Sequence, residues 1–354
     1  MATITPPAAP SGLSVSTWIG RTSLTWRIKF VLFVAALGFA LAVPYLLSSY
    51  LVNMLSLALI FTLYATSVNL LLGYGGLTSM GMGGQLAVGA YAVGYVSVLR
   101  GGSFGQQLLV ALLAGLVVSA IFGAMVMRVT AVYFLIVTLA QGMIIWGLAN
   151  RLSLFGSDNG LRGITRPDFL RPYYTYYYFA LAVVLVVTGI VWVIVNSPFG
   201  LSLRGLRNSP SRLEMLGYST VLTRFYVFML ASMLGILSGV MFALFNQFVS
   251  PFQAAFLNSG KGVLMAIMGG IGTFSGPLVG ALLITLAENV LSIYITRWPT
   301  LLGIAFIFVI LFAQKGIVGS LSAAFRRRYP SASKVRTGSD SGSRAGRTTA
   351  PPNG

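Results

Sequence analysis

Long apolar runs separated by short polar connections make up most of the chain. Their apolar positions do not alternate as in a strand, and runs of about 20 residues suit helices that cross a hydrocarbon layer about 30 Å thick. The pattern predicts an all-α integral membrane protein, a polytopic helical bundle of about ten transmembrane helices with glycine-broken segments. The predicted spans are 30–49, 51–72, 77–99, 106–127, 131–149, 176–196, 225–247, 260–274, 277–295 and 300–314.

The regions outside these spans are basic and polar. Residues 1–29 are predicted to be a flexible N-terminal segment, 30–319 the transmembrane domain, and 320–354 a disordered basic tail that touches anionic lipid. Ten spans place both termini, including Arg326-Arg327-Arg328, in the cytoplasm, as the positive-inside rule requires, whereas nine place these arginines outside. The alternative for the first span is a signal peptide, because Ala40-Leu41-Ala42 resembles a cleavage site.

A polar island of residues 197–224 interrupts the apolar pattern. Ser197 before Pro198 predicts an N-cap and a helix start, Ser209-Pro210 predicts a second helix start, and Gly217 predicts a C-cap. The island is therefore predicted to hold two short amphipathic helices. One alternative is an ordinary basic connector, and the other is a folded surface that contacts a partner in water. The apolar face has Phe199, Leu203 and Leu206, and another face has Arg204 and Arg207.

Composition limits the cofactors, metals and reactions that the chain can support. Hydrophobic residues make up 56% of the chain and charged residues 8%, with a mean hydropathy of +0.87. Histidine and cysteine are absent, which excludes disulfides and removes the commonest metal ligands. The sequence contains no phosphate-binding loop and no nucleophile–base pair, so we predict a non-enzyme with no cofactor or metal of its own. The net charge of +18 lies in loops and tails and does not indicate nucleic-acid binding.

Two glycine-rich stretches, 73–94 and 268–280, break the apolar runs. Irregular backbone persists in a membrane where protein or a watery cavity covers its polar groups, so the breaks indicate a binding site or pathway. The alternative is close helix packing through small residues. The candidate pathway residues are Asn69, Gly73, Gly76, Thr78, Ser79, Gln85, Thr138, Gly269, Gly270 and Gly272.

Glu288 is the one acidic residue that the pattern places inside a predicted span. An intramembrane carboxylate is a functional candidate by default. The alternative is a position near the outer face, where a charge costs little. A proton relay is disfavoured, because the sequence has no histidine and no second acid in a span.

Several segments together resemble the permease subunits of ABC-type uptake systems for branched-chain or hydrophobic amino acids, over about residues 50–320. The tyrosine-phenylalanine segment and the Asn-Gly-Leu loop resemble the second, M-type, permease of such systems. The segments are 69–76 with Gly89-Ala90-Tyr91, 132–140, Asn159-Gly160-Leu161, Gly200 with Arg204, Arg207, Glu214 and Leu216-Gly217, Val249-Ser250-Pro251, 269–273 and 276–281.

This resemblance implies a division of labour in a bacterial plasma membrane. It implies a heterodimer with a second homologous permease, two cytoplasmic ABC ATPases that bind ATP and Mg, and an extracytoplasmic substrate-binding protein. The island maps onto the family's ATPase-coupling loop. The implied docking residues are Arg204, Gly205, Leu206, Arg207, Glu214 and Gly217.

Three positions depart from the family pattern. Met82 stands where the family often has histidine, and Met143 and Lys261 stand where acids are common. These three departures bear on which substrate is carried more than on the fold. The alternatives are therefore the same architecture carrying urea, short amides or another small polar solute, and a secondary carrier or channel that needs no ATPase.

Overall fold

The computed structural model describes residues 38–294 and residues 300, 301, 303, 304 and 307. Residues 38–46 are helical and precede the helices labelled below. The bounds are α1 Ser49–Asn69, α2 Met82–Gly94, α3 Phe104–Val126, α4 Ala131–Arg151, α5 Tyr173–Asn196, α6 Pro198–Asn208, α7 Pro210–Met215, α8 Thr220–Asn246, α9 Phe256–Gly269 and α10 Gly276–Tyr294. The π-helical turns Leu70–Gly75 and Tyr95–Leu99 extend α1 and α2. Short 3-10 turns occupy Ser153–Phe155, Ser157–Asn159, Asp168–Leu170 and Pro251–Ala254.

The predicted helical membrane fold is confirmed. Within the described residues, 7 helical segments are long and apolar enough to cross a membrane. The predicted third span is wrong at its start, because residues 77–81 are not helical and α2 begins at Met82. The predicted eighth span, 260–274, is also wrong, because α9 has 14 residues and ends at Gly269, about 21 Å of helix. Residues 30–37 of the first span and most of the tenth lie outside the described residues, as do residues 1–29 and 320–354.

Helices α1, α2 and α8 form the buried centre of the bundle, whereas α3, α4 and α5 expose much of their apolar surface. The centre is dense because α2 and α8 approach each other through glycines. A methyl group on Gly89 would overlap the backbone of Ile236, and one on Gly239 would overlap the backbone of Leu86. Small residues at such crossings allow two backbones to pack closely within a membrane.

A two-stranded antiparallel sheet lies at one end of the bundle, which we call the strand end. Strand β1 (Leu161–Arg162), in the connection after α4, pairs with β2 (Phe248–Val249), after α8. Arg166 joins the same elements by donating to the carbonyls of Leu244 (2.9 Å) and Phe245 (2.5 Å). Burial lowers the pKa of the Arg166 guanidinium, which still carries its charge because arginine titrates far above neutral pH.

Helices α6 and α7 lie at the opposite end, which we call the loop end. The two-helix prediction for the island is confirmed, with Leu203 and Leu206 buried and Arg204 exposed. Ser197 occupies the N-cap position of α6 as predicted, and Ser209 occupies that of α7, but neither side chain makes a cap hydrogen bond. The fixed backbone of proline at the first helical position supports these helix starts instead.

Candidate functional site

The two glycine breaks, far apart in sequence, meet at the loop end through Asn69. The Gly272 N–H donates to Asn69 Oδ1 at 2.9 Å, and Asn69 Nδ2 donates to the Thr273 carbonyl at 3.0 Å. Both polar ends of a buried amide are therefore used by the turn after α9. A methyl group on Gly73 would overlap both Asn69 Oδ1 and the Gly272 backbone, so this junction requires glycine at position 73.

Arg207 of α6 contacts both breaks at once. Its Nη1 donates to the Gly73 carbonyl. A methyl group on Gly76 would lie 2.8 Å from Arg207 Cγ, and one on Gly272 would lie 3.2 Å from Arg207 Nη1. The arginine thus joins the predicted coupling loop to α1 and to the α9–α10 turn. We call Asn69, Gly73, Gly76, Arg207 and Gly272 the loop-end junction.

The backbone at the two breaks requires glycine for conformational reasons as well. Gly76 has φ +68° where the π-helical turn ends, and Gly270 and Gly272 have φ +127° and +72° after α9. Side-chain-bearing residues seldom adopt these positive φ values, whereas glycine does so at little cost. The breaks are therefore defined turns with specific contacts.

The non-helical link 76–81 leads from the loop end to the first turn of α2, inside the bundle. Thr138 Oγ1, seven residues into α4, accepts from the Met80 N–H at 3.2 Å. The Gly83 N–H in turn donates to Ser259 Oγ at 3.0 Å, which joins the first turns of α2 and α9. Tyr64, near the middle of the first membrane-crossing segment, donates to the Asn258 carbonyl at 3.0 Å. Both helices therefore begin within the layer that the longer helices span.

The remaining predicted pathway residues lie apart from the junction. Ser79 is buried in the link and accepts weakly from the Gly81 N–H, at 3.4 Å, while Thr78 is half-buried in the same link. Gln85 is buried in α2, and its Oε1 has no hydrogen-bond partner among the described residues. Gly269 is packed so closely against the Gly276 backbone that a methyl group would overlap it.

Some of the predicted docking residues face solvent on α6 and α7, and the others hold these two helices in place. Glu214 accepts from Thr220 Oγ1 at 2.6 Å and so holds the end of α7 to the start of α8. Gly217 has φ +84°, and its N–H donates to the Glu214 carbonyl at 2.9 Å, which confirms the predicted helix end. A methyl group on Gly205 would lie 3.0 Å from Leu213 Cδ1, so that glycine permits α6 and α7 to pack.

An ion pair inside the bundle was missed by the sequence reasoning. Lys261 Nζ on α9 contacts Glu288 Oε2 on α10, with side-chain exposures of 6% and 22%. The Lys261 ammonium also stands over the Phe61 ring, 4.2 Å from its centroid. The sequence singled out Glu288 and Lys261 separately, but neither periodicity nor motif indicated that they pair.

An apolar cavity of about 480 Å³ lies elsewhere, between α2, α3 and α4. Its lining includes Tyr91, Phe122, Ile145 and Leu148. None of the predicted pathway residues lines it, so the cavity is separate from the loop-end junction.

Comparison with known proteins agrees with this architecture. Residues 50–314 match the model of a family described as the permease component of the branched-chain amino acid transport system. The chain is similar to the high-affinity branched-chain amino acid transport system permease protein LivM of Escherichia coli strain K12, with 24% identity over 313 residues, 80% of this chain and 74% of the relative. LivM of Salmonella typhimurium strain LT2 is 23% identical over 320 residues, 82% of this chain and 75% of the relative. No solved structure matches the chain.

Proposed function

We propose, from the premise that the chain belongs to the family of branched-chain amino acid transport permease components, that it translocates such amino acids as one half of an ABC importer. Separate ATPase subunits power the importer, and an extracytoplasmic binding protein feeds it. The chain itself catalyses no reaction and pairs with a second, homologous permease. The importer lies in a bacterial plasma membrane with the loop end in the cytoplasm.

The observation that carries this proposal is the contact of Arg207 with both glycine breaks. An amphipathic helix seated in a groove of an ATPase moves with that ATPase. Because Arg207 and Asn69 hold the two breaks together, a displacement of α6 acts on α1 and on the α9–α10 turn at the same time. The positive-φ glycines Gly76 and Gly272 allow both turns to rotate without steric cost.

Charge at the loop end supports the orientation. Helices α6 and α7 have three arginines and one acid, Glu214. We place this end of the bundle in the cytoplasm, where short loops are typically rich in lysine and arginine. ATP and Mg then belong to the partner subunits, because the chain has no phosphate-binding loop.

The test is purification of the tagged chain from its native membrane, with sequencing of the co-purifying subunits, followed by uptake assays in vesicles. Recovery of a second permease and of chains with phosphate-binding loops, with ATP-dependent leucine uptake, is expected. Urea and acetamide are included as competitors, because strong competition by either would indicate the small-polar-solute alternative. Uptake by the chain alone, without an ATPase, would overturn the proposal in favour of a secondary carrier.

A further inference from the structure

The Lys261–Glu288 pair lies at membrane depth. Phe61, which the Lys261 ammonium covers, is the thirteenth residue of the 27-residue segment Ser49–Gly75. Glu288 is the thirteenth residue of the 19-residue α10, about 18 Å from its start. Both charges are therefore well inside a layer about 30 Å thick.

Such a pair is a weak contributor to stability, because desolvation of two charges offsets most of their attraction. Ionisable residues in membrane spans face a bundle interior or a water-filled cavity and mark pathways for polar solutes. Glu288 remains 22% exposed at the surface of the single chain. Part of the Glu288 side chain therefore remains open beside Lys261, at a depth where lipid tails offer no polar partner.

The surroundings of the pair are polar on one side and apolar on the other. Thr285 precedes Glu288 by three residues on α10 and lies on the same helix face. Its hydroxyl is buried and has no hydrogen-bond partner among the described residues. On the other side, Phe61 packs its ring against those of Tyr64 and Phe242.

We propose that the Lys261–Glu288 pair is a transient binding site for the ammonium and carboxylate groups of a zwitterionic α-amino acid. This inference rests on the proposed function. The substrate ammonium meets the Glu288 carboxylate, the substrate carboxylate meets the Lys261 ammonium, and the Thr285 hydroxyl provides a further hydrogen bond. A zwitterion that crosses a hydrocarbon layer must exchange water for opposite charges held close together. The pair offers both charges, and the Phe61 cluster offers an apolar wall.

The first test replaces the pair by apolar residues, Lys261→Met with Glu288→Leu, in the complete transporter supplied with leucine-loaded binding protein. Leucine uptake per ATP hydrolysed is expected to fall about ten- to a hundredfold, the range for losing hydrogen bonds to charged groups. Subunit assembly and ATP hydrolysis are measured alongside. An assembled variant with wild-type uptake would show that the pair is only structural, since apolar replacement of such pairs is often tolerated.

The second test uses the absence of cysteine from the chain. Thr285→Cys removes one methyl group, leaves the ion pair intact and gives the chain a single thiol. Because Thr285 is buried in this conformation, we expect a charged methanethiosulfonate reagent to label the thiol while the transporter cycles with ATP, and leucine to slow that labelling. The matched control is Leu283→Cys on the exposed face of α10, where leucine should have no effect. Equal labelling of Thr285→Cys with and without leucine would overturn the proposal.

Wild-type uptake separates this inference from the proposed function. If the wild-type complex fails to transport leucine, the proposed function fails. If it transports leucine and both variants behave like the wild type, only the role of the ion pair fails.

Discussion

Removal of the Arg207 guanidinium, by Arg207→Met, tests the loop-end junction most directly. The side chain donates a charge-assisted hydrogen bond to the Gly73 carbonyl. Hydrogen bonds that involve a charged group contribute about 1.5–3 kcal/mol, and the low end applies because Arg207 is exposed. A loss of about 1.5 kcal/mol corresponds to roughly a tenfold weaker contact between α6 and the first break.

The assay is leucine transported per ATP hydrolysed by the complete transporter in proteoliposomes. We expect this ratio to fall about tenfold for Arg207→Met, while ATP hydrolysis and subunit assembly persist. Arg212→Met is the matched control, because Arg212 is exposed on α7 and makes no hydrogen bond to the described spans through its side chain. A wild-type ratio for Arg207→Met would refute the coupling argument.

A second variant separates the junction from direct contact with the ATPase. Asn69→Leu preserves side-chain volume approximately but leaves the Gly272 N–H and the Thr273 carbonyl without their partner. Buried unpaired groups cost about 1–3 kcal/mol each, so this variant should also lower the ratio. Because Asn69 and Arg207 act on the same junction, the double variant should lose less than the sum of the two single effects. Additive losses would mean that Arg207 acts on the ATPase alone.

Three further predictions concern packing and the strand end. Gly272→Ala should abolish uptake, because alanine at φ +72° is strained and its methyl crowds the junction; normal uptake in vesicles would contradict this. Gly239→Ala should lower the thermal midpoint in detergent, with an overpacking cost of about 1–3 kcal/mol, whereas Gly189→Ala on α5, where a methyl meets open space, should not. Arg166→Met should also lower that midpoint, because the Leu244 and Phe245 carbonyls lose their donor; an unchanged unfolding curve would show that water replaces the arginine.

Predictions from local sequence pattern succeeded where the determining interactions are local. Apolar length specified the long helices, because each one must satisfy its backbone hydrogen bonds internally within a membrane. The two helices of the island follow from proline at each start and from apolar positions at helical spacing. Hydropathy failed at residues 270–274, since it does not register that Gly270 and Gly272 take positive φ values and end α9 early.

The predicted functional residues divide in the same way. Glycine density predicted both breaks, and the resemblance predicted that the polar island is a coupling loop. Neither indicated that the two breaks and the island contact one another. The roles of the individual docking and pathway residues remain predictions.

The sequence alone determined that this chain is a membrane bundle with a polar island and two broken segments. Hydropathy and backbone propensity are properties of residues that lie close together in the chain, so these features can be predicted without the tertiary structure. Tertiary structure decided that Asn69 binds a turn 204 residues away, that Arg207 reaches Gly73 across 134 residues, and that Lys261 meets Glu288. These contacts depend on how helices pack in three dimensions. Periodicity specifies the face of a helix but not the partner that covers it.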